Sequence, residues 1–201
     1  TYGTVLSAAS GSTTLTADGN VQLSGDMVVE ADGAVIDATL SNKSQWYGAA
    51  KGVTSASVDG SSYWAMTGSS DVGALSNDGV VDFDAANPYK TLKAGSLAMN
   101  GGSFILNTKL NQGGAASETD KIVVTGDATG NGLINVRNNG GAGALTGTGA
   151  TDGIQVVEVG GASDAEFKLG SAAVVGIYDY QLKKADGQNW YLQTEGSDVV
   201  D

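Results

Sequence analysis

The sequence predicts an all-β protein wound as a solenoid, a single-stranded parallel β-helix in which each turn of the chain adds one strand to each of several parallel sheets. Three observations lead there. Apolar and polar residues alternate with a period of two in short runs along nearly the whole chain. Asp-Gly, Asn-Gly, Gly-Gly and Ser-Gly pairs separate the runs, at spacings too close to house helical crossovers. Segments also recur: "SNKSQWYGAA" at 41–50 returns as "DGSSYWAMTG" at 59–68, placing Trp46 and Trp64 one coil apart at the same polar-then-aromatic turn. A sandwich or barrel of independent hairpins, the competing architecture, has no need of that recurrence.

The strands are expected in this order: "NVQLSG" (20–25), "MVVEAD" (27–32), "AVIDATLS" (34–41), "VVDFDA" (80–85), "SFILNTKL" (103–110), "KIVVTG" (121–126), "LINVRN" (133–138), "IQVVEVG" (154–160) and "AEFKLG" (165–170). "TADGNVQLSG", "EADGAVIDAT" and "SNDGVVDFDA" share a turn glycine followed by an alternating strand, which suggests irregular coils of about twenty residues. The last third changes character. "GIYDYQLKKADGQNWYLQT" (176–194) reads as a hairpin whose Asp186-Gly187 supplies the positive-φ turn. Tyr178, Tyr180 and Leu182 fall on one face, and Trp190 and Leu192 share a face on the return strand. An open solenoid end exposes apolar core and unpaired strand edges, so an aromatic hairpin there is expected to act as a lid. Residues 195–201 read as a polar tail or linker.

Composition narrows the function. The net charge of −12, with Arg137 the only arginine, makes nucleic-acid binding improbable, because a phosphate backbone would be repelled. No apolar run reaches the length of a membrane helix and no signal peptide is visible, so direct membrane insertion is not expected. The chain begins at Thr1 without an initiator Met, which suggests a mature piece or an excised fragment. It contains no cysteine, which suits a chain that must stay unfolded and uncrosslinked while it crosses a membrane.

With neither His nor Cys, the chain cannot by itself build a Ser-His-Asp or Cys-His nucleophile or a zinc site. Carboxylate chemistry remains. Asp82 and Asp84 in "VDFDA" would lie on one strand face about 7 Å apart, a separation that could flank a glycosidic bond. The plainer reading has both alternating outward while Val81 and Phe83 point in, which favours an inactive scaffold over a lyase or hydrolase. In "TGDATGNGLINV" (125–136), Asp127, Thr129, Asn131 and Gly132 imitate the first half of a calcium loop. Flanking strands replace the helices such a loop needs, and loop position 12 is Asn138, so a polar turn is expected, with Gly130 and Gly132 there for their backbone freedom. "GGAGALTGT" (140–148) and "GGASDAEFK" (160–168) miss the calcium nonapeptide, with Leu145 in place of the Asp in the first and Asp164 one place early in the second. No metal, cofactor or catalytic residue is expected.

The run from "SSYWAMTGSSDVGALSNDGVVDF" through "TL" at 91–92, "GSFILNT" at 102–108 and "DKIVVTG" at 120–126, closed by Tyr-x-Tyr-x-Leu and Trp-Tyr-Leu, resembles the C-terminal passenger region of pertactin-like bacterial autotransporters. The resemblance covers roughly residues 40–194. It implies a right-handed parallel β-helix, with coils over 1–85 and a stem including the autochaperone region over 86–194. Trp64, Phe83, Leu92, Phe104, Ile122, Tyr178, Tyr180, Leu182, Trp190 and Leu192 would form its folding core and cap. It further implies a non-enzymatic, surface-displayed or secreted chain of type V secretion. That chain would serve as a rigid stem for adhesion and virulence, and its terminal coils would promote folding as the passenger emerges C-terminus first, with no nucleotide required. Implied partners are the protein's own outer-membrane translocator barrel and a host-cell or matrix receptor, or self-association. A polysaccharide-active β-helix enzyme using Asp carboxylates and a calcium-dependent adhesion module stand as the alternatives.

Overall fold

A computed structural model describes residues 3–194, which form nineteen strands and no helix. The chain makes successive passes. The first lays down β1 (Thr4–Ala8), β2 (Ser12–Asp18) and β3 (Gln22–Ser24), and the second β4 (Asp26–Val29), β5 (Val35–Ser41) and β6 (Gln45–Gly48). The third gives β7 (Ala50–Lys51), β8 (Val53–Val58) and β9 (Tyr63–Met66), and the fourth β10 (Ser70–Asn77) and β11 (Val80–Phe83). The fifth is one long bent strand, β12 (Thr91–Thr108). The sixth gives β13 (Lys121–Val124) and β14 (Ala128–Asn138), and the seventh β15 (Ile154–Val159) and β16 (Glu166–Leu169). The chain closes with β17 (Ala173–Val175), β18 (Tyr178–Ala185) and β19 (Asn189–Thr194).

Each pass pairs in parallel with the one before it. One ladder runs β2–β5–β8–β10–β12 and another β3–β6–β9–β11–β12, both continuing through β14. A further ladder runs β1–β4–β7, and beyond it the start of β12 pairs β13, which pairs β15. The sheet is open rather than closed into a barrel.

Because stacked strands keep their registers, like residues stand over like. Trp46, Trp64, Val81, Phe104 and Ile134 occupy one inward column, and Ala38, Ala56, Leu75, Leu97 and Ala128 another; all are buried. Trp46 and Trp64 stack with ring centroids 4.6 Å apart and planes 10° from parallel. Each indole N–H donates to a backbone carbonyl, Gly25 O at 2.8 Å and Gly48 O at 2.9 Å, so neither ring leaves a buried donor unmet. Two alternating faces suffice for this core: inward positions are apolar, and outward ones are mainly Ser, Thr and Asp.

At the corner between the β2 and β3 ladders, polar side chains tie one pass to the next. Asp18 accepts from the Ser41 hydroxyl (2.7 Å) and the Asn42 amide (2.6 Å), and Asp59 accepts from the Asn42 N–H (2.8 Å). That backbone donation, reinforced by the Ser61 N–H and hydroxyl, lowers the Asp59 carboxyl to about 2.

Several expectations change. The passes are irregular, as expected, but the later ones outgrow a coil of that size: Ser12 lies opposite Val35 and Val53 opposite Val72, whereas Asn131 lies opposite Glu166, because loops of growing size are inserted after β11, β12 and β14 while the strand registers persist. The three turn-glycine segments are not equivalent rungs, since "EADGAVID" opens β5 of one ladder whereas the other two open β3 and β11 of another. In "TGDATGNGLINV" most of the residues are strand, and the turn is confined to 125–127. Gly130 does take φ +86°, but Gly132 does not have a positive φ. Space favours glycine there, because an added Cβ would meet the backbone oxygen of Gly102 at 2.7 Å. Residues 195–201, expected as a tail, lie outside the described residues.

Candidate functional site

The residues expected to form a folding core and cap fall at the wide end of the stack. Trp64, Phe83, Leu92, Phe104, Ile122, Tyr180 and Leu192 are inaccessible to solvent, Trp190 is 4% exposed, and Tyr178 and Leu182 are half-buried against the same core. The structure brings them into one continuous cluster. Leu92, Ile122 and Val157 stack at one register position, while Phe83 ends the fourth pass beside the loop 84–90.

The parallel order ends at β15. Here β19 pairs antiparallel, Ile154 opposite Leu192 and Val157 opposite Trp190, and β18 pairs with β19 through a turn in which Asp186 (φ 52°) and Gly187 (φ 65°) are both left-handed. That turn type matches strand twist, which is why Asp-Gly is found there. The hairpin tip is fastened to the turn after β15: Gln188 Nε2 donates to Val159 O (2.5 Å) and Gly161 O (2.7 Å), and the Ser163 hydroxyl donates to Gln188 O (2.7 Å). Trp190 packs edge-on against Phe167 at 5.4 Å and 87°, and Lys184 Nζ lies 5.5 Å from the indole centroid while donating to Ser163 O (2.7 Å).

Tyr180 reaches further. Its hydroxyl accepts from the Ala144 N–H (3.0 Å) and lies within donating distance of Asn111 O (2.8 Å) and Ala144 O (3.1 Å). One buried phenol thereby holds the loops that follow the fifth and sixth passes. Burial raises the phenol above its ordinary range, and the Ala144 N–H opposes that shift. Thr194 and Thr146 make a second tie between β19 and the 139–152 loop (Thr146 N–H to Thr194 Oγ1, 2.7 Å).

A polar clasp not anticipated from the sequence sits on the other side of these loops. Asp82 points outward from β11, as alternation requires, yet it is 5% exposed. Arg137 of β14 covers it with a two-pronged ion pair (Nη1 to Oδ1, 2.7 Å), and the Tyr63 hydroxyl donates to Oδ2 at 2.7 Å. Asp82 raises the Arg137 guanidinium, and burial, then Asp82, raises the Tyr63 phenol. The Lys90 ammonium donates to Asp84 O (2.5 Å), Ala86 O (2.8 Å) and Asn87 O (3.0 Å) and is lowered by its burial. Asp120, inaccessible to solvent, accepts from the N–H groups of Lys90 (2.6 Å) and Asn107 (2.7 Å).

These contacts correct the expectation of two solvated aspartates. Asp82 is committed to Arg137 and Tyr63, and Asp84 Oδ1 to the Ala86 N–H at 2.8 Å, so the two do not converge on a shared groove. Asp127 accepts from the Ala162 N–H at 2.8 Å, tying the sixth pass to the seventh. Among the described residues no group of three or more acidic, His or Cys side chains could hold a metal. The signal that could have revealed the clasp was the lone arginine in an acidic chain, but nothing local named its partner, which lies 55 residues away.

Residues 70–182, from the start of β10 into β18, match the Autochaperone Domain Type 1 family, and the chain belongs to it. The class of protein is therefore an autotransporter passenger segment, borne at the bacterial surface or released from it. The chain is 34% identical over 74% of its length to the autotransporter adhesin/invasin TibA of Escherichia coli O78:H11. It is 33% identical over 81% of its length to the pertactin autotransporter of Bordetella bronchiseptica, and 38% identical over 61% to the uncharacterized protein YuaQ of E. coli K12. It spans 15%, 17% and 9% of those three relatives respectively.

Proposed function

We propose that this segment is a non-enzymatic stem of a passenger, wound as a right-handed parallel β-helix, whose residues 86–194 form the stable core on which the rest of the passenger folds. The hairpin is its cap and the residues from Trp64 to Leu192 named above are its core. One observation carries the reading. The edge of β15, the last strand of its parallel ladder, is covered by antiparallel β19, while loops from two passes are gathered under Tyr180. Antiparallel pairing takes up the N–H and C=O groups on that edge, so the parallel stack does not continue from β15. Each earlier pass then adds to a surface that already exists, so its ordering entropy is offset by contacts at once.

In the whole protein the partner at this end is the outer-membrane translocator barrel, and the adhesive activity named for TibA resides in the passenger that the stem projects, through a host receptor or through self-association. Commitment of Asp82 to an ion pair weighs against a carboxylate glycan-cleaving site. Calorimetric titration with Ca²⁺ tests the calcium-dependent alternative and is expected to give no heat of binding. The principal test is hydrogen exchange with limited proteolysis on the full chain. Residues from about 86 to 194 should keep their protection longest. Preferential survival of residues 3–80 would sink the proposal.

A further inference from the structure

We infer that the Arg137–Asp82 pair is an assembly latch that makes docking of the fourth pass conditional on a folded sixth pass. The inference rests on the folding-core reading above and adds to it the residues that impose the order. One strand separates the partners: β11 pairs β12, which pairs β14, so Arg137 reaches across two inter-strand spacings, roughly 10 Å of sheet, to meet Asp82. The residue stacked over Asp82 on the intervening strand is Ile105, which offers it nothing polar. The fourth pass also supplies no cation for its own buried carboxylate, and Tyr63 from the third pass brings only a hydroxyl.

The rest of the fourth pass's end shows the same dependence. Phe83 O accepts from Asn107 Nδ2 (2.6 Å), and the carbonyls of Asp84, Ala86 and Asn87 accept from Lys90, whose own N–H is held by Asp120. Every one of these donors and anchors lies later in the chain. Apart from the Tyr63 hydroxyl, the segment that ends at residue 87 therefore meets these buried polar needs against residues that follow it, and the ion-pair partner bonded to Asp82 comes from pass six. A pass docked without it leaves the covered Asp82 carboxylate bonded to the Tyr63 hydroxyl alone, with the nearby Lys90 ammonium already committed to backbone carbonyls, which is unfavourable. A pass docked with it closes at once. Order follows from which side holds the counter-ion: the C-terminal template can wait with Arg137 in water, whereas Asp82 cannot be covered first.

Asp82 is faced by Tyr63 from β9, Arg137 from β14, and Lys90 and Asp84 from the adjoining loop. The test compares the full chain with Arg137→Gln and with Arg137→Gln combined with Asp82→Asn, using hydrogen exchange in the native state and pulse labelling during refolding. In the single variant, amides of residues 63–83 should exchange about tenfold to a hundredfold faster, while those of 121–194 keep wild-type protection. The double variant, with no buried charge left over, should recover most of that protection. It should also lose the delay by which residues 63–83 become protected after 121–194 in wild type. Unchanged protection in the single variant, or a double variant as weak as the single, overturns the latch. If residues 121–194 do not gain protection first even in wild type, the folding-core reading fails instead, so the two failures are told apart.

Discussion

Tyr180→Phe isolates the hydroxyl that gathers the wide loops. The ring stays, so the core volume is unchanged and no cavity opens. What goes is the acceptor of the Ala144 N–H at 3.0 Å and the donor to Asn111 O at 2.8 Å. Leaving covered backbone groups unpaired costs about 1–3 kcal/mol. Truncation to Ala removes the solvent-inaccessible ring as well and should cost about 3–5 kcal/mol. Urea denaturation followed by tryptophan fluorescence gives both values as midpoint shifts, and the Phe variant should keep the wild-type slope. Exchange of the Ala144 amide is the local readout, which should speed up in Tyr180→Phe while the amides of β8 and β10 do not change. A wild-type midpoint together with an unchanged Ala144 amide would refute the reasoning, because the loops would then be held by something other than the phenol.

Two further outcomes follow from named contacts. Trp46→Ala and Trp64→Ala should each destabilise by about 3–5 kcal/mol, and the double variant should fall short of additivity by about 0.5–1.5 kcal/mol, the worth of the stacked pair; strict additivity would remove the stack from the energetics. Asp59 is lowered to about 2 by the Asn42 N–H, against an unfolded value of about 3.9, so its contribution is fully present above roughly pH 4 and is lost as pH falls toward 2. It lies near the surface, so the effect is screened. Asp59→Asn should flatten the decline of stability between pH 4 and 2, and an unaltered acid limb would dismiss the assignment.

The inward positions were legible because a strand's period of two is written locally. Ile122 and Val124 are buried while Lys121 before and Val123 between them are only half-buried, and Val81 and Phe83 are likewise inward, although Asp82 between them is covered too. The Asp186-Gly187 turn was legible for a similar reason, since positive φ at both central residues selects few residue types. The recurrence of Trp46 at Trp64 was visible because stacked passes put like residues on like. The extent of β14 was not, since "TGDATGNG" has the composition of a turn and is drawn into strand by pairing with Leu97 to Asn100. Gly132 was misread because the atom it makes way for, the backbone oxygen of Gly102, comes from another pass.

By itself, then, the sequence determined the all-β class, the strand and turn alternation and the aromatic hairpin, all properties of neighbouring residues, and, through its lack of His and Cys, ruled out a Ser-His-Asp or Cys-His site built from this chain alone. Only the tertiary structure decided that Asp82 is a covered ion-pair partner rather than an open carboxylate, that Lys90 and Asp120 bind the loops after β11 and β12 together, and that Tyr180 holds the loops after β12 and β14. The physical reason is distance along the chain. Alternation is encoded over a few residues, whereas the charge that makes Asp82 tolerable is supplied by an arginine that meets it only after two more strands have been laid on the sheet.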